Sequence, residues 1–288
     1  MNVLVSVYMP TRNRATLLRR AVESVLSQSY RALELIVVDD GSTDETAAYL
    51  KDAQASDERL HVIHNPSSLG APRSRNLAIE MARGEFITGL DDDDHFHPQR
   101  IEGLVNHWCV LRREGDRFSC LYTQDLLVQG KRVDLTSKPD RVEFSDLFFY
   151  NLIGNQVFTR REYLIEAGMF DVEMPAWQDL DTFIRLVRQF GTARLLDQPL
   201  YVVDLDPRPD RISTGSKERI LAAYRRLAAK SVGVPEACKQ ALYLQVFGRL
   251  YGFRLGLNDL REYLRYGVHA RTLRILGGVL LRQLAGSQ

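Results

Sequence analysis

Short apolar runs alternate with segments of helical periodicity over the first hundred residues. Apolar side chains recur at helical spacing between Leu17 and Leu26, and Pro and Gly punctuate the later segments. The other predicted elements are strands at Val3–Met9, Leu35–Val38, Leu60–His64 and Phe86–Leu90, and helices at Thr43–Ala55, capped by Ser42 or Thr43, and at Pro72–Ala82. This alternation predicts an α/β fold with a mostly parallel sheet that is covered by helices on both faces.

The pattern is less regular after residue 100. Phe118–Gln129 is typical of a strand or hairpin, Val133–Ser145 of a polar loop, and residues 204–216 of a long surface loop. Further elements are predicted as strands at Gln156–Thr159 and Leu196–Val203, and as helices at Arg161–Ala167 and Leu180–Phe190. The chain is then helical to about Ala285. The sequence therefore predicts an α/β domain over residues 1–215 and a helical C-terminal region over residues 216–288.

Composition narrows only the general class of protein. The chain of 288 residues is 45% hydrophobic and 26% charged, which is typical of a globular protein with a sizeable core. Its 38 Lys and Arg nearly balance 37 Asp and Glu, and this gives no support to nucleic-acid binding. The three cysteines, Cys109, Cys120 and Cys238, show no metal-like or disulfide-like spacing. Because neither a leader nor a spanning segment is predicted, we expect a cytoplasmic protein.

The strongest chemical signal is a run of four carboxylates, Asp91 to Asp94, directly after the predicted strand Phe86–Leu90. In parallel sheets, ligands bind outside the carboxyl ends of the strands. Adjacent carboxylates repel one another unless a cation offsets the repulsion, and Mg²⁺ and Mn²⁺ take carboxylate and phosphate oxygens together. The run predicts a metal and diphosphate site, and the alternative is a solvated acidic turn.

Two more acids, Asp39 and Asp40, end the predicted strand Leu35–Val38. Carboxylates at this place accept hydrogen bonds from a ribose or a base edge, and Gly41 permits the tight turn that follows. The alternative is a turn with a helix cap, which explains Gly41 but not Asp39. A phosphatase of the haloacid dehalogenase type is excluded, because its chemistry needs Asp-x-Asp and Gly41 holds the place of the second acid.

Two helix starts carry further candidates. Gly70 precedes a helix that bears Arg73 and Asn76, and a helix N-terminus with an arginine suits a phosphate group. An ordinary helix start is the alternative. Asp179 begins the predicted helix Leu180–Phe190, where it is either a cap or a general base.

In order and in combination, these motifs resemble glycosyltransferase family 2, whose members have the GT-A fold. The resemblance covers about residues 3–215. Its motifs are the Pro10-Thr11 strand end, Ser24 and Gln28 in the first helix, the Asp39–Asp44 turn, the helix with Gly70, Arg73 and Asn76, the acidic run, and Gly168 and Phe170-Asp171 before Gln178-Asp179. It implies an inverting, metal-dependent enzyme that uses a UDP- or dTDP-sugar, with donor binding in residues 1–100 and the acceptor side in residues 101–215.

The resemblance assigns the nucleotide to one set of residues. Asp39 would contact the uracil or thymine base, and Asp40 would lie beside it near the ribose. Apart from the resemblance, Arg208 and Arg211 are expected to reach the phosphates when the loop 204–216 closes, since this loop departs from the family pattern. The other expected donor contacts are Pro10, Thr11, Arg14, Gly70, Arg73, Asn76, Asp91 and Asp92.

The resemblance assigns the metal and the chemistry to a second set. Asp91 and Asp93 match the two acids of the family's Asp-x-Asp motif and are the expected ligands of Mn²⁺ or Mg²⁺. Asp179 matches the base that deprotonates the acceptor hydroxyl. There are two departures, because Gln178 replaces a glutamate of many relatives and residues 204–216 contain no histidine. The metal would then be held by Asp93, diphosphate and water.

Leucines recur on one side of the last predicted helix. The apolar stripe consists of Leu273, Leu276, Leu280 and Leu284, and the arginines on the rest of the helix are Arg271, Arg274 and Arg282. One hypothesis is that the helix packs on the catalytic domain or on a second copy in a homodimer. The other is that it binds the inner face of the plasma membrane as a basic amphipathic helix.

The sequence thus predicts a glycosyltransferase with a glycan or lipid-linked glycan acceptor, and family analogy suggests bacterial lipopolysaccharide, O-antigen or capsule. Two alternatives stay open. A nucleotidyltransferase also uses acids and a metal, but it ordinarily carries a basic Gly-rich loop after the first strand, and residues 10–14 contain no glycine. A non-catalytic sugar-nucleotide binding module would not need a base such as Asp179.

Overall fold

The computed structural model describes residues 3–207 and 216–285, and these divide into two compact units. The first unit comprises residues 3–143, 152–172 and 182–207. The second comprises residues 144–151, 173–181 and 216–285. Arg208 and Arg211, which were expected to reach the phosphates, lie outside the described residues. The first unit is built on a sheet, whereas the second is mainly helical.

A mixed sheet forms the centre of the first unit. Its strands are β1 Val5–Thr11, β2 Leu33–Asp39, β3 Leu60–His64, β4 Phe86–Gly89, β5 His95–Phe96, β6 Phe118–Gln129, β7 Arg132–Leu135, β8 Arg141–Val142, β9 Phe158–Arg160 and β10 Thr192–Asp204. The strand order over the described residues is β3-β2-β1-β4-β9-β6-β10-β5, with β7 paired to β6 and β8 to β10. The strands β3, β2, β1 and β4 are parallel, and β9 runs antiparallel to both of its neighbours.

Helices cover both faces of this sheet. They are α1 Ala15–Leu26, α2 Thr46–Ser56, α3 Ala71–Met81, α4 Arg100–Arg113, α5 Arg161–Glu166 and α6 Gln178–Phe190, the first turn of which belongs to the second unit. Alternate strand residues enter different cores, since Val7 packs with Leu18 and Trp108 while Tyr8 packs with Ile79. The predicted α/β fold with a sheet buried on both faces is confirmed.

The second unit contains the helical C-terminal region that the sequence predicts. Its helices are α7 Lys217–Lys230, α8 Glu236–Gln245, α9 Leu257–Leu264 and α10 Ala270–Ala285. The buried amide of Gln240 on α8 donates to the carbonyl oxygens of Tyr263 and Gly267, at 2.9 Å and 2.8 Å. Gln240 also accepts a hydrogen bond from Thr272 on α10. This amide therefore joins α8 to the end of α9 and to α10.

The leucine stripe of α10 is divided between two environments. Leu276 and Val279 are buried on the second unit, whereas Leu273, Leu280 and Leu284 are 44%, 40% and 72% exposed. The helix thus packs on its own unit through one side and keeps apolar side chains in solvent on the other. In the described part of the chain, no helix combines the length and the apolar character needed to cross a bilayer.

The predicted cap of the second helix is wrong. The helix α2 begins at Thr46, and neither Ser42 nor Thr43 caps it. Asn13 instead donates its amide N–H to the Ser42 hydroxyl and accepts from the Thr43 amide, at 2.9 Å and 2.7 Å. Both residues are therefore used to join the loops that follow β1 and β2, and the helix starts later.

The predicted polar loop at Val133–Ser145 is also wrong in part. Residues 132–135 form β7 and residues 141–142 form β8. Val133 and Leu135 on β7 are 58% and 61% exposed, so burial does not explain this strand. Its backbone pairs with β6 through the turn at Gly130, and hairpin pairing of this kind depends on the partner strand rather than on local polarity.

Candidate active site

The acidic segments of the sequence meet at one edge of the sheet. The strands β1 and β2 are in register, with Thr11 opposite Asp39, and the amide of Asp40 donates to the carbonyl of Thr11 at 2.9 Å. The amide of Leu90, just after β4, donates to the carbonyl of Tyr8 at 3.0 Å. Parallel strands therefore place the loops after β1, β2 and β4 side by side, where ligands of α/β sheets bind.

The four carboxylates after β4 lie on a tight turn, closed by a hydrogen bond of 3.0 Å from the Asp94 amide to the Asp91 carbonyl. Successive side chains consequently point in different directions. Asp92 and Asp94 are buried, whereas the side chains of Asp91 and Asp93 are 24% and 18% exposed. The turn thus separates two internal carboxylates from two that face outward.

The internal carboxylates are bound by protein donors. Asp92 accepts from the Thr11 hydroxyl at 2.7 Å and from the Arg14 guanidinium at 2.8 Å. Burial raises the pKa of Asp92 to about 6, although Arg14 and Thr11 oppose the shift. Asp94 accepts from the Tyr201 hydroxyl at 2.9 Å and from the Asp204 amide at 3.0 Å. Burial, with the charges of its acidic neighbours, holds the pKa of Asp94 well above its usual range.

Asp91 is oriented by two residues that the sequence analysis did not select. Its Oδ1 lies 2.9 Å from the Arg75 guanidinium and 3.1 Å from the Gln156 amide, which also accepts from the Tyr8 hydroxyl at 2.9 Å. Arg75 is buried on α3, whereas Arg73, the arginine that was selected, is exposed. The helical period could have identified Arg75 in the sequence. Arg75 lies four residues before the buried Ile79, so both side chains are on the same face of α3.

Asp93 lies beside a cation and is partly exposed. Its carboxylate is 3.4 Å from Arg14, and its backbone carbonyl accepts from Arg20 at 2.7 Å. Over residues 3–207 and 216–285, no group of three or more His, Cys, Asp or Glu side chains is arranged to hold a metal ion. The two outward carboxylates are hard oxygen donors that suit Mg²⁺ or Mn²⁺. A cation there would take its other ligands from substrate and water.

The acids after β2 have different environments. Asp39 accepts from the Ser42 amide at 3.0 Å, and its second oxygen lies 3.1 Å from Nδ1 of His64. Gly41 follows with φ +73°, and a Cβ there would lie 2.9 Å from the Ser67 backbone, so the turn requires glycine. Asp39 thus lies at the strand end beside a histidine that is half exposed.

Asp40 shapes the loop before α3. Its oxygens accept from the Ser68 hydroxyl at 2.6 Å, the Leu69 and Gly70 amides at 2.8 Å and 2.9 Å, and the Asn65 amide at 2.8 Å. Burial alone would raise the pKa of Asp40, but these four hydrogen bonds outweigh it and lower the pKa to about 2. The carboxylate therefore holds residues 65–70 in place at the edge of the site.

The other expected donor contacts are spread more widely. Pro10 is half-buried at the end of β1, and Gly70 precedes α3 with φ +88°. Asn76 accepts from the backbone amide of Phe170 at 3.0 Å and donates to its carbonyl at 2.8 Å. This pair joins α3 to the turn after α5.

Asp179 lies in the first turn of α6, within the segment 173–181 of the second unit. It is half-buried, and the carbonyl of the nearby Trp177 accepts from the Asp181 amide at 2.9 Å. A carboxylate at this place lies near the positive end of the helix dipole.

This sheet, with acidic loops after its parallel strands, is the GT-A fold of nucleotide-sugar-dependent glycosyltransferases. The structure of Staphylococcus aureus TarS residues 1–349 in complex with UDP-GlcNAc matches it with a TM-score of 0.69, at 19% identity over 91% of this chain and 79% of that chain. The mannosyltransferase PcManGT from Pyrobaculum calidifontis, in complex with GDP-Man and Mn²⁺, matches with a TM-score of 0.60, at 19% identity over 97% and 80% of the two chains.

Sequence similarity assigns the family. The model of glycosyl transferase family 2 matches residues 6–162. The putative colanic acid biosynthesis glycosyl transferase WcaA of Escherichia coli K12 is 36% identical over 225 residues, which are 75% of this chain and 78% of WcaA. The chain therefore belongs to glycosyl transferase family 2, and it is a transferase. The family resemblance drawn from the sequence motifs is confirmed, whereas the alternatives of a nucleotidyltransferase and a non-catalytic module are not supported.

The environment of Asp40 predicts a pH-dependent contribution to stability. Since its folded pKa of about 2 is below the ordinary value, this contribution is complete above about pH 4 and is lost as pH falls toward 2. Asp40→Asn should lower the free energy of unfolding by about 1–3 kcal/mol at pH 7, because one carboxylate oxygen becomes an NH2 group and the donors to that oxygen lose their acceptor. Urea unfolding at pH 7, 5 and 3 measures this difference, which should narrow at pH 3.

The control for this measurement is Asp52→Asn, which changes an exposed carboxylate on α2. It should leave the free energy of unfolding nearly unchanged at each pH. A difference between the wild type and Asp40→Asn that stays constant down to pH 3 would contradict the assignment of Asp40 as the anchor of residues 65–70.

Proposed function

We propose that this enzyme is an inverting glycosyltransferase that moves a sugar from a UDP- or dTDP-sugar to a hydroxyl of a glycan or glycolipid acceptor. The observation that carries the proposal is the division of the acidic run into two buried and two outward carboxylates. Asp91 and Asp93 are left at the surface at the carboxyl ends of parallel strands, two residues apart. This is the arrangement that a metal-bound diphosphate needs.

Asp93 and Asp91 are the proposed ligands of Mn²⁺ or Mg²⁺. When bound, the cation would neutralise charge on the diphosphate and make it a better leaving group. Arg75 and Gln156 orient Asp91, and Arg14 lies beside Asp93. The Mn²⁺ in the PcManGT complex supports the choice of metal. The buried Asp92 has an indirect role in this proposal, because its hydrogen bonds position Thr11 and Arg14 for the nucleotide.

The nucleoside is proposed to bind between the loops after β1 and β2. Asp39 would accept from the base, and Asp40 would act through the loop 65–70 that it holds. TarS with UDP-GlcNAc supports a uridine donor, whereas PcManGT carries GDP-Man. The remaining proposed donor contacts are Pro10, Thr11, Arg14, Gly70, Arg73, Asn76 and Arg211, all within residues 1–215, the proposed catalytic domain.

Asp179 is the proposed catalytic base. Its carboxylate would take the proton of the acceptor hydroxyl while the acceptor oxygen attacks the anomeric carbon from the side opposite the diphosphate. The new carbon–oxygen bond forms as the bond to the diphosphate oxygen breaks, and that electron pair leaves with the nucleoside diphosphate. One displacement of this kind inverts the anomeric configuration.

The proposed acceptor belongs to a bacterial surface polysaccharide, such as lipopolysaccharide, O-antigen or capsule. The similarity to WcaA, named for colanic acid biosynthesis, supports this class of product. Such a glycan is assembled on a lipid, and this would place the enzyme at the cytoplasmic face of the membrane. In the alternative proposal, the exposed side of α10 contacts a second copy of the chain in a homodimer.

The C-terminal region has the charge and the apolar surface for membrane contact. Residues 217–285 contain thirteen Lys or Arg against four Asp or Glu, although the whole chain has a net charge of only +1. Exposed leucines and arginines share α10, and the bilayer surface is anionic. The exposed large apolar side chains of this region are Val232, Leu250, Leu257, Leu264, Val268, Leu273, Leu280, Leu281 and Leu284.

A thermal-shift screen of UDP-, dTDP- and GDP-sugars with and without Mn²⁺ tests the donor assignment. A ligand that binds only the folded protein raises the melting temperature through linkage. We expect the largest shift for a UDP- or dTDP-sugar, and only in the presence of the metal. A GDP-sugar that gives the largest shift would contradict the proposed nucleotide.

Asp93→Ala should abolish metal-dependent donor binding. Since Asp93 is the proposed direct ligand, we expect the affinity for UDP in Mn²⁺ to fall by at least about 10-fold, with a smaller effect for Asp91→Asn. Calorimetry with UDP and Mn²⁺ measures the affinity of both variants, and Asp52→Ala on α2 is the control. Unchanged affinity in Asp93→Ala would remove Asp93 from the metal site.

Asp179→Asn should bind donor normally and lose about 10²–10⁴-fold in transfer rate, the usual scale for a positioned proton acceptor. Release of the nucleoside diphosphate from the donor that the screen selects measures the rate. Glu166→Gln, which changes an exposed acid on α5, is the control. Turnover near that of the wild type would exclude Asp179 as the base, and loss of folding would favour a structural role.

Membrane contact through α10 predicts binding to anionic vesicles. Truncation before Arg271 would also remove the buried Leu276 and Val279, so substitution of exposed residues is the cleaner test. The triple change Leu280→Ser, Leu281→Ser and Leu284→Ser should reduce sedimentation with phosphatidylglycerol vesicles and leave the melting temperature unchanged. Added salt should weaken binding of the wild type, since each arginine near an anionic surface contributes about 1 kcal/mol.

The control for the vesicle measurement is Val133→Ser with Leu135→Ser, which removes two exposed apolar side chains from β7 in the first unit. It should bind vesicles like the wild type. A wild-type protein that ignores anionic vesicles at low salt would contradict the membrane proposal. A lower oligomeric state of the triple variant, in place of weaker vesicle binding, would favour the homodimer.

A further inference from the structure

The segment that carries the proposed base belongs to the helical unit. Residues 173–181, with Asp179, cluster with residues 216–285 rather than with the residues that precede and follow them in the chain. The proposed nucleotide contacts, by contrast, belong to the first unit wherever they are described. The sequence predicts a helical region after residue 215. In the structure, side chains of this region contact the segment around Asp179 directly.

Three cationic side chains of α7 bond to residues of the segment 173–181. The Arg219 guanidinium donates to the carbonyl of Pro175 at 2.8 Å, and Arg226 pairs with Glu173 at 2.5 Å. Lys230 pairs with Asp181 at 2.8 Å. The three contacts lie at 173, 175 and 181, so one helix holds the segment at both ends.

The contact of Lys230 differs from the other two because it involves a fully buried carboxylate. The side chain of Asp181 is fully buried, whereas Glu173 is 70% exposed. An exposed ion pair contributes little to stability, whereas the loss of one contact to a buried carboxylate costs more. Asp181 lies in the same first turn of α6 as Asp179, so movement of Asp181 must move Asp179 as well.

Trp177 fixes the other side of this turn. It has φ +58°, a left-handed conformation that a bulky side chain adopts only when the surroundings impose it. Its indole N–H donates to the Tyr251 hydroxyl at 2.8 Å, and its carbonyl accepts from the Asp181 amide at 2.9 Å. Tyr251 therefore holds the residue from which the helix of Asp179 begins.

We propose that the C-terminal helical unit is part of the catalytic apparatus, and that Lys230, Arg219 and Tyr251 are positioning residues that orient Asp179 toward the acceptor hydroxyl. The proposal rests on the proposed role of Asp179 as the base. It concerns contacts within the second unit only. Donor affinity and turnover can then be separated by substitution.

The test compares Lys230→Met and Lys230→Arg with the matched control Lys239→Met. Lys239 pairs with Glu236 at 2.8 Å on α8, where the glutamate is 52% exposed, so the same chemical change there removes only a surface pair. Three properties are measured for each variant: the affinity for UDP in Mn²⁺ by calorimetry, the kcat for release of the nucleoside diphosphate from the screened donor, and hydrogen exchange of the peptide 173–190.

Lys230→Met should lower kcat by about 10–100-fold, because a small displacement of a catalytic group is costly, and leave the affinity for UDP unchanged. Amide exchange in residues 173–190 should become faster, since the first turn of α6 opens more often. Lys230→Arg should restore kcat in part, and Lys239→Met should resemble the wild type in all three measurements. A merely structural role would instead lower UDP affinity together with kcat.

Tyr251→Phe supplies a second, milder variant, because it removes only the hydroxyl that accepts the Trp177 indole N–H. If Lys230→Met does not fold, the same kcat loss and exchange pattern in Tyr251→Phe supports the proposal. Wild-type kcat and exchange in folded Lys230→Met or in Tyr251→Phe would overturn it. If Asp179→Asn loses turnover while these variants keep it, only the positioning inference fails. If Asp179→Asn keeps turnover, the proposed base itself fails.

Discussion

Four consecutive carboxylates at the end of β4 repel one another, and the first unit is organised to offset that repulsion. Donors and cations reach Asp91 to Asp94 from residues 11–20, from α3, from residues 155–156 and from the end of β10. Two of the carboxylates are buried, and this is tolerated because Thr11, Arg14 and Tyr201 supply hydrogen bonds and charge. Burying Asp92 and Asp94 leaves Asp91 and Asp93 at the surface, so the same contacts that stabilise the turn also define the outward pair.

The segments that hold the acidic run are distant in sequence and meet only in the folded sheet. Gln156 illustrates the dependence, since it precedes β9 and joins Tyr8 on β1 to Asp91 after β4. A Cβ on Gly89 would lie 2.0 Å from the Gln156 side chain, so the strand must end in glycine for this bridge to form. The orientation of Asp91 is consequently sensitive to packing at the end of β4.

The positioning role proposed for the C-terminal region goes beyond what family membership implies. The family model ends at residue 162, before Asp179 and before all of α7 to α10. Residues 173–181 come after the region that the family model matches, and α7 comes later still. The contacts between them therefore involve only residues outside the matched region. The same unit also carries the exposed leucines and arginines that form the proposed membrane-contact surface.

The sequence by itself determined the alternation of strands and helices, the three loops at the sheet edge and the family. These features are local, because hydrophobic period and loop chemistry are written in neighbouring residues. The helical period places Arg75 on the buried face of α3, but tertiary structure alone decided that its partner is Asp91. Tertiary structure also decided that Asp92 and Asp94 turn inward and that residues 132–135 pair with β6. It also decided that residues 173–181 join the helical unit. Each of these outcomes depends on partners far along the chain, and a periodic pattern contains no information about which distant residue will fill a given place.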